Sequence, residues 1–286
     1  MKKEFKQIDL SSLKSEISRD AIDDDFSLLD DISKVPFFDY PTKIDFTVVL
    51  ICLKGTIEGS INLVNYTFEA NRLGIVFFGQ IVQYHHISDD FSGLFIVLSK
   101  RFGDNLELNI KDSTSLFFYI QNNPVIAMNE SELALLLDYY SMLQKTVKME
   151  NSHRREIVKH LLHALLYSAN TVFQQHKRPE TKMEELFDAF YNLVLRHHRE
   201  SREVGFYADK LCLTPKYLST VIKASTGKTA YEWINDYVVL EAKALLKSGY
   251  MTVQQISDTL SFPNQSFFGQ YFKRHTGLSP SEYRGK

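Results

Sequence analysis

Tyr207 to Gly227 reads YADKLCLTPKYLSTVIKASTG, two helical runs on either side of a short turn. A short helix ends near Leu211, and Cys212-Leu213 turns the chain. Thr214 offers a hydroxyl cap to the next helix, and Pro215 fills its first position, where a missing N–H costs nothing. At about 100° per residue, Tyr217, Leu218, Val221 and Ile222 fall within about 140° of arc and predict an apolar face. Lys216, Ser219, Thr220 and Lys223 point the opposite way. One face can lock onto the preceding helix while the other presents hydrogen-bond donors and positive charge, the division that a groove-reading helix needs.

The plan recurs from Val253 to Gly277, in VQQISDTLSFPNQSFFGQYFKRHTG. Here the first helix ends at Leu260, Ser261-Phe262-Pro263 turns the chain, and Asn264 is the cap. Phe267, Phe268, Tyr271 and Phe272 are expected to be buried, with Gln265, Ser266, Gly269, Gln270 and Lys273 outward. Between the units, TAYEWINDYVVLEAKALLKSG reads as one long helix with Trp233, Ile234, Tyr237 and Val238 for packing. A rigid helix of this kind could hold two reading helices on one face of a duplex, where successive major grooves lie about 34 Å apart.

From Thr181 to Lys286 the sequence resembles the carboxyl-terminal domain of the AraC/XylS family of transcription regulators. The landmarks are YLSTVIKASTGKT, EAKALLKS, TVQQISDTLSFPNQSFF and the closing FKRHTGLSPSEYR, in order. The resemblance implies that the second helix of each unit reads base edges. Carried across, Lys216, Ser219 and Thr220 become base-contact candidates of the first unit, with Lys223 nearer the backbone. Gln265, Ser266, Gly269 and Gln270 match the reading positions of the second unit, and Lys273 a phosphate position. Three residues depart from the family pattern: Ser261 stands where Gly is usual, Gln270 where Arg is common, and Ile222 where Phe is common. Serine can adopt the turn at some cost, and isoleucine still fills the core.

The amino-terminal half has a different texture. Residues 1–40 are polar, with the acidic runs Asp23-Asp24-Asp25 and Asp30-Asp31, and read as a solvated leader. From 41 to 128, runs such as FTVVLICL, SINLVNYTF and GIVFFGQIVQYHHI are punctuated by Gly55, Gly59, Asn71, Gly74 and Gly79 and predict antiparallel β structure. The family resemblance makes this a cupin-like β-barrel that holds a small effector. Residues 129–178 turn helical, with Leu133, Leu136, Leu137, Tyr140, Leu143 and Val147 on one stripe and Ile157, Val158, Leu161, Leu162, Leu165 and Val172 on another. Such a helical pair could join subunits through Leu136, Leu161 and Leu165, or the same leucines could simply cover the barrel. Pro179, in HKRPETK, marks the linker to the 181–286 domain. The expected fold is therefore α+β: a cupin-like β-barrel with a helical pair, then an all-α DNA-binding domain with two helix-turn-helix units.

Other motifs read as structure. Gly227-Lys228-Thr229 lacks the second glycine of a phosphate loop, since position 222 is Ile. Glu156, His160 and His163 share the helical face opposite the apolar stripe and suit a solvated surface better than a metal. His85-His86 are adjacent, so alternation in a strand sends them to opposite faces, and the ligand set of an enzymatic cupin is incomplete. One of the pair is expected in the barrel interior or at its rim. Phe46, Phe68, Phe77, Phe78, Tyr84, Phe91 and Phe95 read as barrel core, with some free to line a pocket.

Composition bounds the partners. The formal net charge of −2 hides an asymmetry: residues 201–286 carry 11 basic and 7 acidic residues, a net of +4, which leaves −6 for residues 1–200. A polyanion is drawn to the carboxyl-terminal part. MKKEFKQIDL has no apolar stretch behind its lysines, so no signal peptide is expected. The most apolar run, Phe46 to Leu53, is too short to span a bilayer. The two cysteines, Cys52 and Cys212, form no paired motif and fit a reducing cytoplasm. The expectation is a cytoplasmic homodimer that binds double-stranded DNA and a small-molecule effector, with RNA polymerase a further partner, no cofactor, no membrane and no catalysis. Two rivals are a metal-dependent cupin enzyme with a helical appendage and a ligand-independent DNA-binding protein.

Overall fold

A computed structural model describes residues 20–23, 25–30, 40–104, 106, 120–121, 123–176 and 181–285. The amino-terminal residues 1–19, Asp24 and Asp31 of the acidic runs, and Pro179 of the expected linker lie outside the described residues. The chain divides into two compact units, Met1–Asp39 with Ile44–Lys177, and Tyr40–Lys43 with Arg178–Lys286.

In the first unit the strands are β1 (Ala21–Ile22), β2 (Phe26–Leu29), β4 (Phe46–Lys54), β5 (Thr56–Ile61), β6 (Val64–Glu69), β7 (Arg72–Val76), β8 (Ile81–Ile87), β9 (Ser92–Ser99) and β10 (Val125–Ala127). The helices are α1 (Lys100–Asp104), α2 (Glu130–Lys148) and α3 (Arg154–His176). A short β3 (Thr42–Lys43) falls in the second unit. Among the described residues the strands form two sheets rather than one closed barrel. One sheet has six strands, in the order β1-β2-β9-β4-β7-β10, and the other contains β8, β5 and β6 side by side.

The continuous apolar runs follow from burial of both faces of the larger sheet. Leu50, Phe95 and Val97 join Ile57, Ile61 and Phe68 of the second sheet in one core. Their neighbours Ile51, Ile96 and Leu98 point the other way, into a core shared with Leu136, Tyr140, Leu143, Val158, Leu162 and Leu165 of the helical pair. Gly74 is a requirement of this packing: a Cβ there would sit 2.3 Å from the Phe68 ring. Side chains thus fill the space between the sheets around Phe68.

Four expectations change. The leader is partly structural: Phe26 is fully buried, and buried Asp25 accepts hydrogen bonds from Ser99 (2.7 Å), Arg101 (2.6 Å) and Arg155. Burial would raise the Asp25 pKa, but the two guanidinium groups and the Ser99 hydroxyl outweigh it and hold the carboxyl well below the usual range. His85 and His86 are both exposed, so neither lies in an interior. A bulge is the reason: Glu58 pairs with His86 and Gly59 with Tyr84, which skips His85 and breaks the alternation. Among the aromatic residues, Phe46, Phe68 and Phe95 are core, whereas Phe78 is exposed. Leu136 and Leu165 are buried within their own unit, so they are not available as an intersubunit stripe.

The second unit is helical: α4 (Lys182–His197), α5 (Val204–Lys210), α6 (Pro215–Thr226), α7 (Ala230–Ser248), α8 (Val253–Thr259), α9 (Gln265–Thr276) and α10 (Pro280–Gly285). Thr181, Thr229 and Thr252 each open a helix with a reciprocal capping box, to Glu184, Glu232 and Gln255. Glycines in the left-handed region close α6, α7 and α9, at Gly227, Gly249 and Gly277. The glycine of the phosphate-loop lookalike is thus a helix stop.

Candidate nucleic-acid interface

Two α-turn-α units, α5–α6 and α8–α9, share local geometry. In the first turn Cys212 takes φ +57°, and the Leu213 N–H donates to Ala208 O at 2.9 Å. In the second Ser261 takes φ +52°, and the Phe262 N–H donates to Ser257 O at 2.9 Å. This six-to-one bond with a left-handed residue inside it satisfies a helix-end carbonyl and reverses the chain. Ser261 therefore makes the turn expected of it, without glycine. The hydroxyl of Thr214 accepts from the Tyr217 N–H (3.2 Å), and Asn264 Oδ1 accepts from the N–H groups of Ser266 (3.0 Å) and Phe267 (3.1 Å), so both caps sit where the sequence put them.

Each second helix is anchored by one pair of fully buried residues, Leu218 with Ile222 and Phe268 with Phe272. Opposite that anchor, Lys216, Thr220, Lys223, Ser266, Gln270 and Lys273 are exposed, while Gln265, the first residue of α9, is exposed at an azimuth close to that of Phe268 and Phe272. Ser219 and Gly269 are half-buried and sit at the margin of the face. The Thr220 hydroxyl donates to Lys216 O at 2.8 Å and keeps its acceptor capacity toward solvent. The apolar faces are narrower than expected: Tyr217 and Phe267 are not buried but 54% and 58% exposed. Each lies about 120° around its helix from the mid-line of the buried pair, at the edge of the apolar arc, and a helical Cβ leans toward the amino terminus, which carries the side chain toward the start of the helix. Arg274, in the last turn of α9, adds a cation to this face.

The two units are tied into one body. Trp233, Ile234, Tyr237 and Val238 of α7 are all buried, as the sequence predicts. The Tyr271 hydroxyl donates to Asn235 Oδ1 at 2.7 Å, and the Asn235 amide donates to Tyr231 O at 2.6 Å. Arg202 donates to Leu260 O (2.8 Å) and Ser261 O (3.0 Å) while lying 4.0 Å from the Phe262 ring centroid, so a residue ahead of α5 holds the turn of the second unit. No local pattern flags Arg202, because its partners are distant in sequence.

Glu241, fully buried on α7, collects His198, Arg199 (2.5 Å) and Lys43 (2.7 Å). Burial pushes its pKa up, but the His198 and Arg199 hydrogen bonds and the Lys43 charge prevail, so the carboxylate stays ionised far below its ordinary range. This cluster is structural: its carboxylate is enclosed and its oxygens are taken up by His198, Arg199 and Lys43.

A family profile described as a helix-turn-helix domain matches residues 207–286. The arabinose operon regulatory proteins of Salmonella typhimurium and Escherichia coli K12 are each 32% identical over 82 residues, 29% of this chain, and the match spans only 29% and 28% of their own lengths. The HTH-type transcriptional activator RhaR of Escherichia coli O1:K1 is 24% identical over 106 residues, 37% of this chain and 38% of its own. A solved structure of ToxT from Vibrio cholerae aligns over 91% of this chain and 94% of that one, at 16% identity and a TM-score of 0.42. The matched segment begins within α5 and includes both turns, both second helices and all of α8, and its curated relatives are regulators of transcription: residues 207–286 form a DNA-binding helix-turn-helix domain of the AraC/XylS type.

Proposed function

We propose that the whole chain is a sequence-specific regulator of transcription, acting in the cytoplasm on double-stranded DNA, without catalysis and without a metal. The duplication carries this reading: two units with the same turn, the same buried anchor pair and the same polar outward face, locked to one central helix. Lys216, Ser219, Thr220, Gln265, Ser266, Gly269 and Gln270 are the base-contact residues of the proposal, and Lys223 and Lys273 the backbone contacts. The amino-terminal unit is proposed to bind a small organic effector and to form a homodimer. Leu136 and Leu165 cannot serve that dimer; Leu135 and Met142, exposed one heptad apart on α2, replace them.

A second reading, ligand-independent DNA binding, is favoured by one observation: Phe68 and its neighbours already fill the space between the sheets. Screening small organic molecules against the metal-stripped protein, with DNA affinity and thermal stability as readouts, separates the two. The primary test is selection of duplexes from a randomised pool by the full chain, then titration against salt. Binding should weaken steeply with salt, and Lys216→Ala and Thr220→Ala should change which bases are preferred. No enriched sequence, or an unchanged preference in both variants, overturns the reading.

A further inference from the structure

Tyr217 and Phe267 occupy the same place twice. Each is the third residue of its outward-facing helix, its backbone N–H is held by the N-cap side chain, and the next residue is fully buried. That repeat fixes the start of each side chain and points it off the front of the first turn, the end a groove-reading helix inserts. Both stand beside groups that suit a polyanion: Lys216 and Thr220 next to Tyr217, and Ser266 and Gln270 next to Phe267, with Lys223, Lys273 and Arg274 further along the helices. Gly269 brings no side chain to the second face and Gln270 is neutral, which leaves Phe267 as the bulkiest exposed group on α9.

An apolar ring on such a helix has one apolar feature to meet in the major groove, the C5-methyl group of thymine. We infer that Tyr217 and Phe267 are specificity-determining residues, each of which packs on a thymine methyl, so that each half of the bound site carries a thymine at one fixed position. The inference rests on the DNA-binding reading above and deepens it.

The test uses the full chain and the duplex it selects from a randomised pool. Each thymine is replaced in turn by deoxyuridine, which deletes the methyl and leaves the base-pairing edge intact. Loss of one buried methyl corresponds to about 0.8 kcal/mol, or about fourfold in affinity. Wild type should lose about fourfold at two positions, one in each half. Phe267→Ala should bind more weakly and lose its sensitivity at one of them, and Tyr217→Ala at the other. Phe267→Leu, which keeps an apolar contact, should retain sensitivity. Because both rings are exposed, the variants should unfold at the wild-type temperature. If deoxyuridine has no effect anywhere, or the same effect in wild type and both Ala variants, the inference falls while DNA binding stands. If the pool yields no preferred duplex, both fall.

Discussion

Replacing Glu241 by Gln tests the energetics of the carboxyl-terminal unit at its most demanding point. The carboxylate is fully buried and receives hydrogen bonds from His198, from two nitrogens of Arg199 and from Lys43. Gln keeps the volume but turns one acceptor into a donor that faces donors, and it removes the charge that neutralises its partners. Breaking a buried pair in this way costs about 3–5 kcal/mol. Lys43→Met should cost about 1 kcal/mol or less, since the Lys43 side chain is 36% exposed and solvent screens it. Urea unfolding followed by Trp233 fluorescence is the assay; Trp233 is the single tryptophan and is buried in this unit. The pH dependence has a defined sign. The folded carboxyl titrates below its ordinary value of 4.5, so its contribution is complete above that pH and is lost as pH falls, by about 1.4 kcal/mol for each unit. The gap between wild type and Glu241→Gln should therefore be widest near neutrality and shrink between about pH 4.5 and pH 3. A variant within about 1 kcal/mol of wild type at neutral pH, or a gap that ignores acid, would refute the reasoning.

Three further outcomes follow from single residues. Ser261→Gly should raise stability by about 0.5–1 kcal/mol, because glycine removes a left-handed strain of about 1–2 kcal/mol and returns part of it as unfolded-state entropy; thermal melting measures it. Gly74→Ala should destabilise the first unit by about 1–3 kcal/mol by displacing the Phe68 ring, read as a lower urea midpoint with DNA affinity unchanged. Lys273→Ala should weaken all duplexes about equally and lower the salt slope by about one, whereas a change in base preference would place it on a base edge.

The sequence by itself determined the carboxyl-terminal unit almost completely. Helices, caps and turns depend on contacts a few residues apart, so Thr214, Pro215, Asn264, Gly227 and Ser261 announce their roles without knowledge of the rest of the chain. The presence of strands in 41–128 was equally local. Tertiary structure decided what periodicity cannot carry. Tyr217 and Phe267 lie at the edge of the apolar arc yet remain exposed, because burial needs a covering neighbour as well as an apolar side chain. A one-residue bulge opposite Glu58 and Gly59 put both His85 and His86 outside, and no rule of alternation can foresee a register shift. Asp25 became a buried anchor, and Arg202 and Lys43 became partners of distant groups, because chain reversal brings charges together that have no spacing in sequence. Leu136 and Leu165 went to their own core for the same reason: an apolar stripe records that something covers it, and only the packed fold says what.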